Sequence, residues 1–376
     1  MRALRVALIG SRGVPANYGG YETLMEELGP RLVERGFEVT VYCRSHHTDR
    51  GLGSYRGMSL VVLPTVRSKY LDTPVHTLLS VLHAGSEPYD AALVVNSANA
   101  LFVPLLRASG IPTALNVDGI EKRRAKWGWP GRLTYALSER LATMAPDTLV
   151  TDAEVIAEHY RERYNADSTT IAYGVDPQPA TPGDTLAALG LRPREYFLYV
   201  SRFEPENNPH RVAEAYRLVS GDFPLVMVGG APYADSYIRS FTEGADPRIR
   251  FPGPIYGQGY RELLSHPLAY IQATEVGGTH PALVEAMGYG APLVVNDTPE
   301  HREVAGDCAG YFIIDEPATL AARLNEVIHG RAVALDSGLR GAQRARDRYS
   351  WERVADQYAG LLGDLATTAG GGEGID

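Results

Sequence analysis

Residues 275–304 read EVGGTHPALVEAMGYGAPLVVNDTPEHREV, and the order of the parts decides the fold. Gly277, Gly278, Thr279 and His280 form a short turn. An apolar helix is predicted next, with Pro281 in its first turn and Gly288 and Gly290 at its end, where these residue types fit best. Residues 292–295 then form a short apolar run of the kind a buried parallel strand requires. The two glycines let a ligand approach the main chain closely. The helix opens immediately afterwards, so its unpaired amides offer a site for phosphate. Glu285 lies one helical turn further in, where a carboxylate repels phosphate and accepts hydrogen bonds from sugar hydroxyls. Together these groups fit a nucleotide that carries both a diphosphate and a ribose. The same residues also fit a tight strand-to-helix turn with Glu285 on a solvated face.

Outward from this stretch the chain alternates strands and helices. Residues 4–10 read as a buried strand, and a loop, SRGVPANYGGYE, leads into a helix over 21–35 that Gly36 stops. Residues 38–43 are the next strand, which completes a βαβ unit. Gly19 and Gly20 stand at the helix start and would let a diphosphate or an acceptor group approach. Their spacing is not the dinucleotide fingerprint, and a plain turn fits equally. Further strands are expected at 59–64, 91–96, 113–117, 148–151 and 169–172, with helices at 77–82, 102–108, 133–144 and 152–164. After PQPATPG at 177–183, which reads as a linker, strands follow at 196–200, 225–228, 249–251 and 269–272, with a helix at 210–219.

Composition narrows the function. A chain of 376 residues most naturally makes two domains, and 44% hydrophobic with 22% charged residues is ordinary for a globular protein. A net charge of −9 argues against general nucleic-acid binding. Cys43 and Cys308 stand far apart with no metal-ligand spacing and read as reduced buried thiols. The opening MRALRVALIGSRG lacks the pattern of a signal peptide, and no run approaches the ~20 apolar residues of a membrane span. The expectation is a cytoplasmic protein, with peripheral contact to an anionic inner membrane face left open.

Two charged sites stand out. Arg202 follows the strand at 196–200, where its guanidinium suits a phosphate; pairing with Glu204 or Glu206 is the alternative. Lys122, Arg123, Arg124 and Lys126 lie beside Trp127 and Trp129, after Asp118 at the end of a strand. This cluster reads as a patch for an anionic acceptor with rings for sugar faces, or else as a solvated basic loop. Asp118 reads as a ligand for a sugar hydroxyl or an acceptor, or as half of an Asp-Gly turn.

Glu285-Ala286-Met287 and Gly290-Ala291-Pro292 resemble the donor-site segment of glycosyltransferase family 4, the retaining sugar-nucleotide transferases of GT-B fold. The family usually places a first glutamate where Gly277 stands; the nearest acid here, Glu275, comes two residues early. Its arginine is matched by Arg202, and its lysine five residues on is replaced by Asn207. Many members have a histidine near Asp118. The stretches at 15–22, 116–127 and 206–208 resemble a bacterial subgroup tied to rhamnose and polysaccharide assembly.

The resemblance implies an α/β fold of two doubly wound Rossmann-like domains facing a central cleft: an acceptor-side domain at 1–177, a linker at 178–192, a nucleotide-sugar domain at 193–348, a terminal helix at 349–366 packing back on the first domain, and a disordered tail at 367–376. It implies a retaining transferase with a nucleotide diphosphate-sugar co-substrate, deoxythymidine diphosphate rhamnose being the favoured donor, and a saccharide or lipid-linked acceptor. Arg202 and Asp118 are its implied catalytic residues. Gly19, Gly20, Asn207, Ile255, Gly277, Gly278, Thr279, His280 and Glu285 would join Arg202 at the donor, and Lys122, Arg123, Arg124, Lys126 and Trp127 would meet the acceptor. No metal or other cofactor is implied. A non-catalytic sugar-nucleotide or carbohydrate-binding protein and a GT-B epimerase are the competing readings.

Overall fold

The structure is a computed structural model that describes residues 2–16, 19–68, 71–117, 119, 137–231 and 234–370. These fall into two compact units. Among the described residues, the first takes the chain up to Tyr173 and regains it at Trp351, and the second is the stretch Gly174–Ser350.

The first unit is built on an eight-stranded sheet in the order β3-β4-β2-β1-β5-β6-β7-β8. The strands are β1 (Arg5–Ile9), β2 (Glu38–Arg44), β3 (Ser54–Tyr55), β4 (Met58–Leu63), β5 (Ala91–Val95), β6 (Thr113–Val117), β7 (Thr148–Thr151) and β8 (Thr169–Thr170). All neighbours are parallel except the β3–β4 hairpin. Parallel strands need cover on both faces, which is why β1 and β5 are nearly continuous apolar runs. The helix Gly20–Glu34 buries Leu24, Met25, Leu28 and Leu32 on one face. The helix Trp351–Gly370 joins the same core through Trp351, Val354, Tyr358, Leu362 and Leu365. Asn116 on β6 donates to the Tyr358 hydroxyl at 2.9 Å, so a buried polar group also ties this helix down. The helices Asp72–Ala84, Val103–Ala108 and Glu154–Tyr164 cover the other face with Val81, Val103, Leu106, Ile156 and Tyr160.

The second unit has a six-stranded, all-parallel sheet in the order β11-β10-β9-β12-β13-β14. Its strands are β9 (Phe197–Val200), β10 (Leu225–Val228), β11 (Ile249–Gly253), β12 (Ala269–Gln272), β13 (Leu293–Asn296) and β14 (Ala309–Phe312). The core gathers Phe197, Tyr199, Phe203, Val212, Tyr216, Met227, Ile271, Val294, Phe312 and Leu320. The strand order reverses between β9 and β12, and in the first unit between β1 and β5. Open α/β sheets bind ligands beyond the carboxyl ends of strands at such switch points.

The structure differs from the sequence expectations in identifiable places. Segment 178–192 is packed: Asp184–Ala188 is helical, and Ala180 and Leu186 are buried. The cause is Glu262, whose carboxylate accepts from the amides of Gly183 at 2.7 Å, Leu186 at 2.9 Å and Thr185 at 3.2 Å. It thereby satisfies the open end of that short helix. The C-terminal helix runs to Gly370, through the start of the expected tail, while residues 371–376 lie outside the described residues. Asp235–Thr242, Gly257–Ser265, Pro299–Ala305, Pro317–His329 and Arg331–Arg348 are helices with no counterpart among the predicted elements. Both cysteines are free and buried. No helix among the described residues is long and apolar enough to cross a membrane.

Candidate functional site

Loops leave the carboxyl ends of β9, β12 and β13 side by side in the second unit, at its switch point. The loop after β9 carries Arg202, Glu204, Glu206, Asn207 and Asn208. Asn207 is buried, and its side-chain amide donates to the Arg202 carbonyl at 2.7 Å, while the Tyr199 hydroxyl donates to the Asn207 carbonyl at 2.7 Å. The residue that stands where the family has a lysine therefore holds its own loop in shape. Asn208 adopts a left-handed backbone, φ 58°, and donates to the Ala273 carbonyl at 2.9 Å and to a Glu275 carboxylate oxygen at 2.8 Å. The Glu275 amide in turn donates to the Glu206 carbonyl at 3.0 Å. These bonds lock the Arg202 loop to the loop that holds the glycine turn. Gly229, after β10, comes so close to the same loop that a Cβ there would meet the Ser201 carbonyl oxygen at 1.9 Å.

Arg202 is half-buried, with a nitrogen 3.6 Å from Glu204. The pairing read as an alternative in the sequence thus exists, but such a loose, partly exposed contact contributes only about 0.2–1 kcal/mol. It leaves the guanidinium available to an incoming anion.

The glycine turn leads into the helix Pro281–Gly288, with His280 at its N-cap and Pro281 at N1. Gly277 has φ 152°, and a Cβ there would lie 2.4 Å from the His280 ring, so both backbone and space call for glycine. Gly277, Gly278 and Thr279 are buried and His280 half-buried. Glu285, one turn into the helix, accepts from the Tyr260 hydroxyl at 2.5 Å. Burial first, and then the Glu285 charge, push the Tyr260 hydroxyl well above its ordinary pKa, so it remains a donor. Arg202, Asn207, the glycine turn and Glu285 are thus parts of one constellation. Ile255 is half-buried in the loop after β11, two strands from β9.

Gly19 and Gly20 belong to the first unit, where Gly19 caps the helix Gly20–Glu34 and its carbonyl accepts from the Thr23 amide at 3.2 Å. Glu22 in the first turn is buried and accepts from the Arg12 amide at 2.8 Å, which closes the loop after β1. Burial raises its pKa, against the pull of the Arg12 and Arg44 charges. Asp118, Lys122, Arg123, Arg124, Lys126 and Trp127 lie outside the described residues. Among the described residues no group of three or more His, Cys, Asp and Glu side chains could hold a metal.

Comparison with known proteins fits this arrangement. The family model "Glycosyl transferases group 1" matches residues 188–346, and "Glycosyl transferase 4-like domain" matches residues 19–174. The chain is a glycosyltransferase of the GT-B type. Sucrose-phosphate synthase from Thermosynechococcus elongatus superposes with a TM-score of 0.83 at 18% identity, over 97% of this chain and 100% of that one. Anabaena HepE in complex with UDP-glucose gives 0.79 at 15% identity, over 96% and 99%. O-antigen chain mannosyltransferase B of Escherichia coli is 23% identical over 199 residues, 50% of this chain and 52% of that one, so the chain spans about half of that relative.

Three residues of this glycosyltransferase that shape the site escape sequence reasoning. Tyr260 reads as one aromatic on an amphipathic helix, and its bond to Glu285 spans 25 positions. Asn208 follows the flagged Asn207, but its partners lie 65 and 67 positions away. His301, on the helix Pro299–Ala305, packs on His280 with ring centroids 5.0 Å apart. For the second of these, the hints are the resemblance at 206–208 and the left-handed backbone preference of asparagine.

Proposed function

We propose that this glycosyltransferase moves a sugar from a nucleoside diphosphate donor onto a saccharide or lipid-linked acceptor, with retention of anomeric configuration, in the assembly of a polysaccharide or glycoconjugate. The observation that carries the reading is the constellation at the second unit's switch point. An accessible Arg202 stands on a loop locked to a glycine turn, and that turn opens a helix with a carboxylate one turn inside. The amides after Gly277 and the Arg202 guanidinium would take up charge as the diphosphate leaves, while Glu285, steadied by Tyr260, would hold the ribose. With that positive charge supplied by the chain, the reaction is proposed to need no bound metal. HepE in complex with UDP-glucose and the O-antigen mannosyltransferase are similar proteins that support donor and acceptor classes of this kind.

The proposed donor is deoxythymidine diphosphate rhamnose, on the strength of the subgroup-like stretches at 15–22, 116–127 and 206–208. Asp118 is proposed to meet a sugar hydroxyl or the acceptor, and Lys122, Arg123, Arg124, Lys126 and Trp127 the acceptor's phosphates or an anionic membrane surface. A panel of thymidine, uridine and guanosine diphosphate sugars tests the reading by thermal shift and by release of nucleoside diphosphate, with and without EDTA. A ligand at 100 times its dissociation constant adds about 2.7 kcal/mol of stability. Stabilisation by a uridine or guanosine sugar and not by the thymidine one overturns the donor. Binding without release, with every acceptor tried, overturns the transferase in favour of a binding protein.

A further inference from the structure

A buried histidine lies behind the glycine turn and takes no part in the chemistry just described. His301 is fully buried, and its Nδ1 lies 2.7 Å from the backbone carbonyl oxygen of Asn296. A carbonyl only accepts, so Nδ1 carries the proton and Nε2 is bare. No hydrogen-bond partner meets Nε2, which faces the protein interior. Burial holds the ring neutral, with its pKa lowered to about 4. The backbone that carries the ring is held as well, because the His301 amide donates to the Thr298 hydroxyl at the helix N-cap, at 3.2 Å.

Asn296 is itself a junction. Its side-chain oxygen accepts from the Ile314 amide at 3.1 Å, and its side-chain nitrogen donates to the Thr274 carbonyl at 3.4 Å. The ends of β12, β13 and β14 are thereby referred to one residue, and His301 hangs from its carbonyl. His301 also meets the His280 ring, with centroids 5.0 Å apart and the planes tilted by 53°. The His280 ring covers Gly277 closely enough that a Cβ on that glycine would collide with it. His280 is thus held between a fixed imidazole and the turn.

We infer that His301 is a positioning residue for donor binding: it fixes the His280 ring against Gly277, and so aims the amides of the glycine turn at the donor diphosphate. The inference rests on the proposed reading that this turn holds a diphosphate. Two consequences follow from the geometry. A ring alone is insufficient, because without the Nδ1 bond to Asn296 the plane is free to rotate and His280 loses its backing. Preorganised donors lose much of their value to an anion when they swing away from it, so the effect falls on diphosphate affinity ahead of global stability.

The test uses the full chain, with UDP, GDP and dTDP as probes in calorimetric titrations of wild type, His301→Phe, His301→Gln and His280→Ala, each accompanied by a melting curve. Wild type binds at least one of the three. His301→Phe keeps the ring volume and loses the bond to Asn296, and it should weaken that binding about tenfold, the loss expected when charge-assisted bonds are misaligned. His301→Gln restores a donor for the Asn296 carbonyl and recovers part of the affinity. Equal affinity in His301→Phe and wild type overturns the inference, and so does a drop in melting temperature with unchanged affinity. Should His301→Phe fail to fold, His280→Ala decides, since it removes a half-buried ring: wild-type affinity there overturns the inference as well. Absence of binding by wild type to all three probes overturns the diphosphate reading itself, a result distinct from binding that the variants leave intact.

Discussion

Replacing Arg202 by alanine separates chemistry from folding. The residue lies in the loop just after β9 and is half-buried, and its side chain makes the 3.6 Å contact with Glu204. The loop around it is held by other groups: buried Phe203, the Asn207 amide on the Arg202 carbonyl, and the Asn208 bridge to Ala273 and Glu275. None of these needs the guanidinium. Its removal should therefore cost no more than about 1 kcal/mol of stability, the upper end for an exposed pair. In a unit of this size that corresponds to roughly 2–4 °C in melting temperature. The cost in rate is larger. Negative charge grows on the diphosphate as the glycosidic bond breaks, and losing one preorganised charge contact costs about 3 kcal/mol, or roughly a hundredfold. Because the charge develops in the transition state, the loss should appear in kcat more than in KM. Arg202→Lys keeps the charge, loses the fork and should fall between. The assay is steady-state release of nucleoside diphosphate at saturating donor and acceptor, beside urea unfolding of the same preparations. A folded Arg202→Ala with wild-type kcat, or with its whole loss in KM, refutes the role of charge on the leaving group.

Tyr260→Phe removes the hydroxyl that steadies Glu285, a bond to a charged acceptor worth about 1.5–3 kcal/mol, so donor KM should rise at least about tenfold with little change in kcat; an unchanged KM contradicts the ribose role. Stability should be full above pH 6.5 and fall as pH drops towards 4, because burial depresses His301 and His76 to about 4 and the unfolded chain takes up protons first. The slope reaches at most about 1.4 kcal/mol per pH unit per histidine, measurable by urea unfolding across that range, and His301→Gln should flatten its share. Leu362→Ala opens a cavity where the C-terminal helix enters the first unit's core, and should cost about 2–5 kcal/mol in denaturant titration.

Much of the fold is legible because parallel strands covered on both faces must be apolar throughout, as RVALI in β1 and AALVV in β5 are. The glycine turn, the helix after it and the strand at 293–296 lie close to their predicted places for the same local reasons. What stays hidden depends on distant partners. PQPATPG looks like a free linker until Glu262, some 80 positions on, captures the amide of its last residue, Gly183, and that of Leu186 beyond it. Asn207 looks like a changed phosphate ligand until its amide is seen on the Arg202 carbonyl. The Arg202–Glu204 contact was visible as an option, but its looseness, which decides whether the cation is available, is a matter of distance.

The C-terminal helix also bears on the order of synthesis. Among the described residues the second unit is one unbroken stretch, and it can complete its core while the chain is still being made. The first unit cannot: Trp351, Val354, Tyr358, Leu362 and Leu365 are the last of its core residues to leave the ribosome. Until they do, the face that covers Leu8, Leu24 and Leu28 stays open, and exposed apolar surface of that kind invites association with other chains or with a chaperone. The unit begun first is therefore the unit finished last, and termination directly after Ser350 would release a protein whose second unit is whole and whose first unit is not.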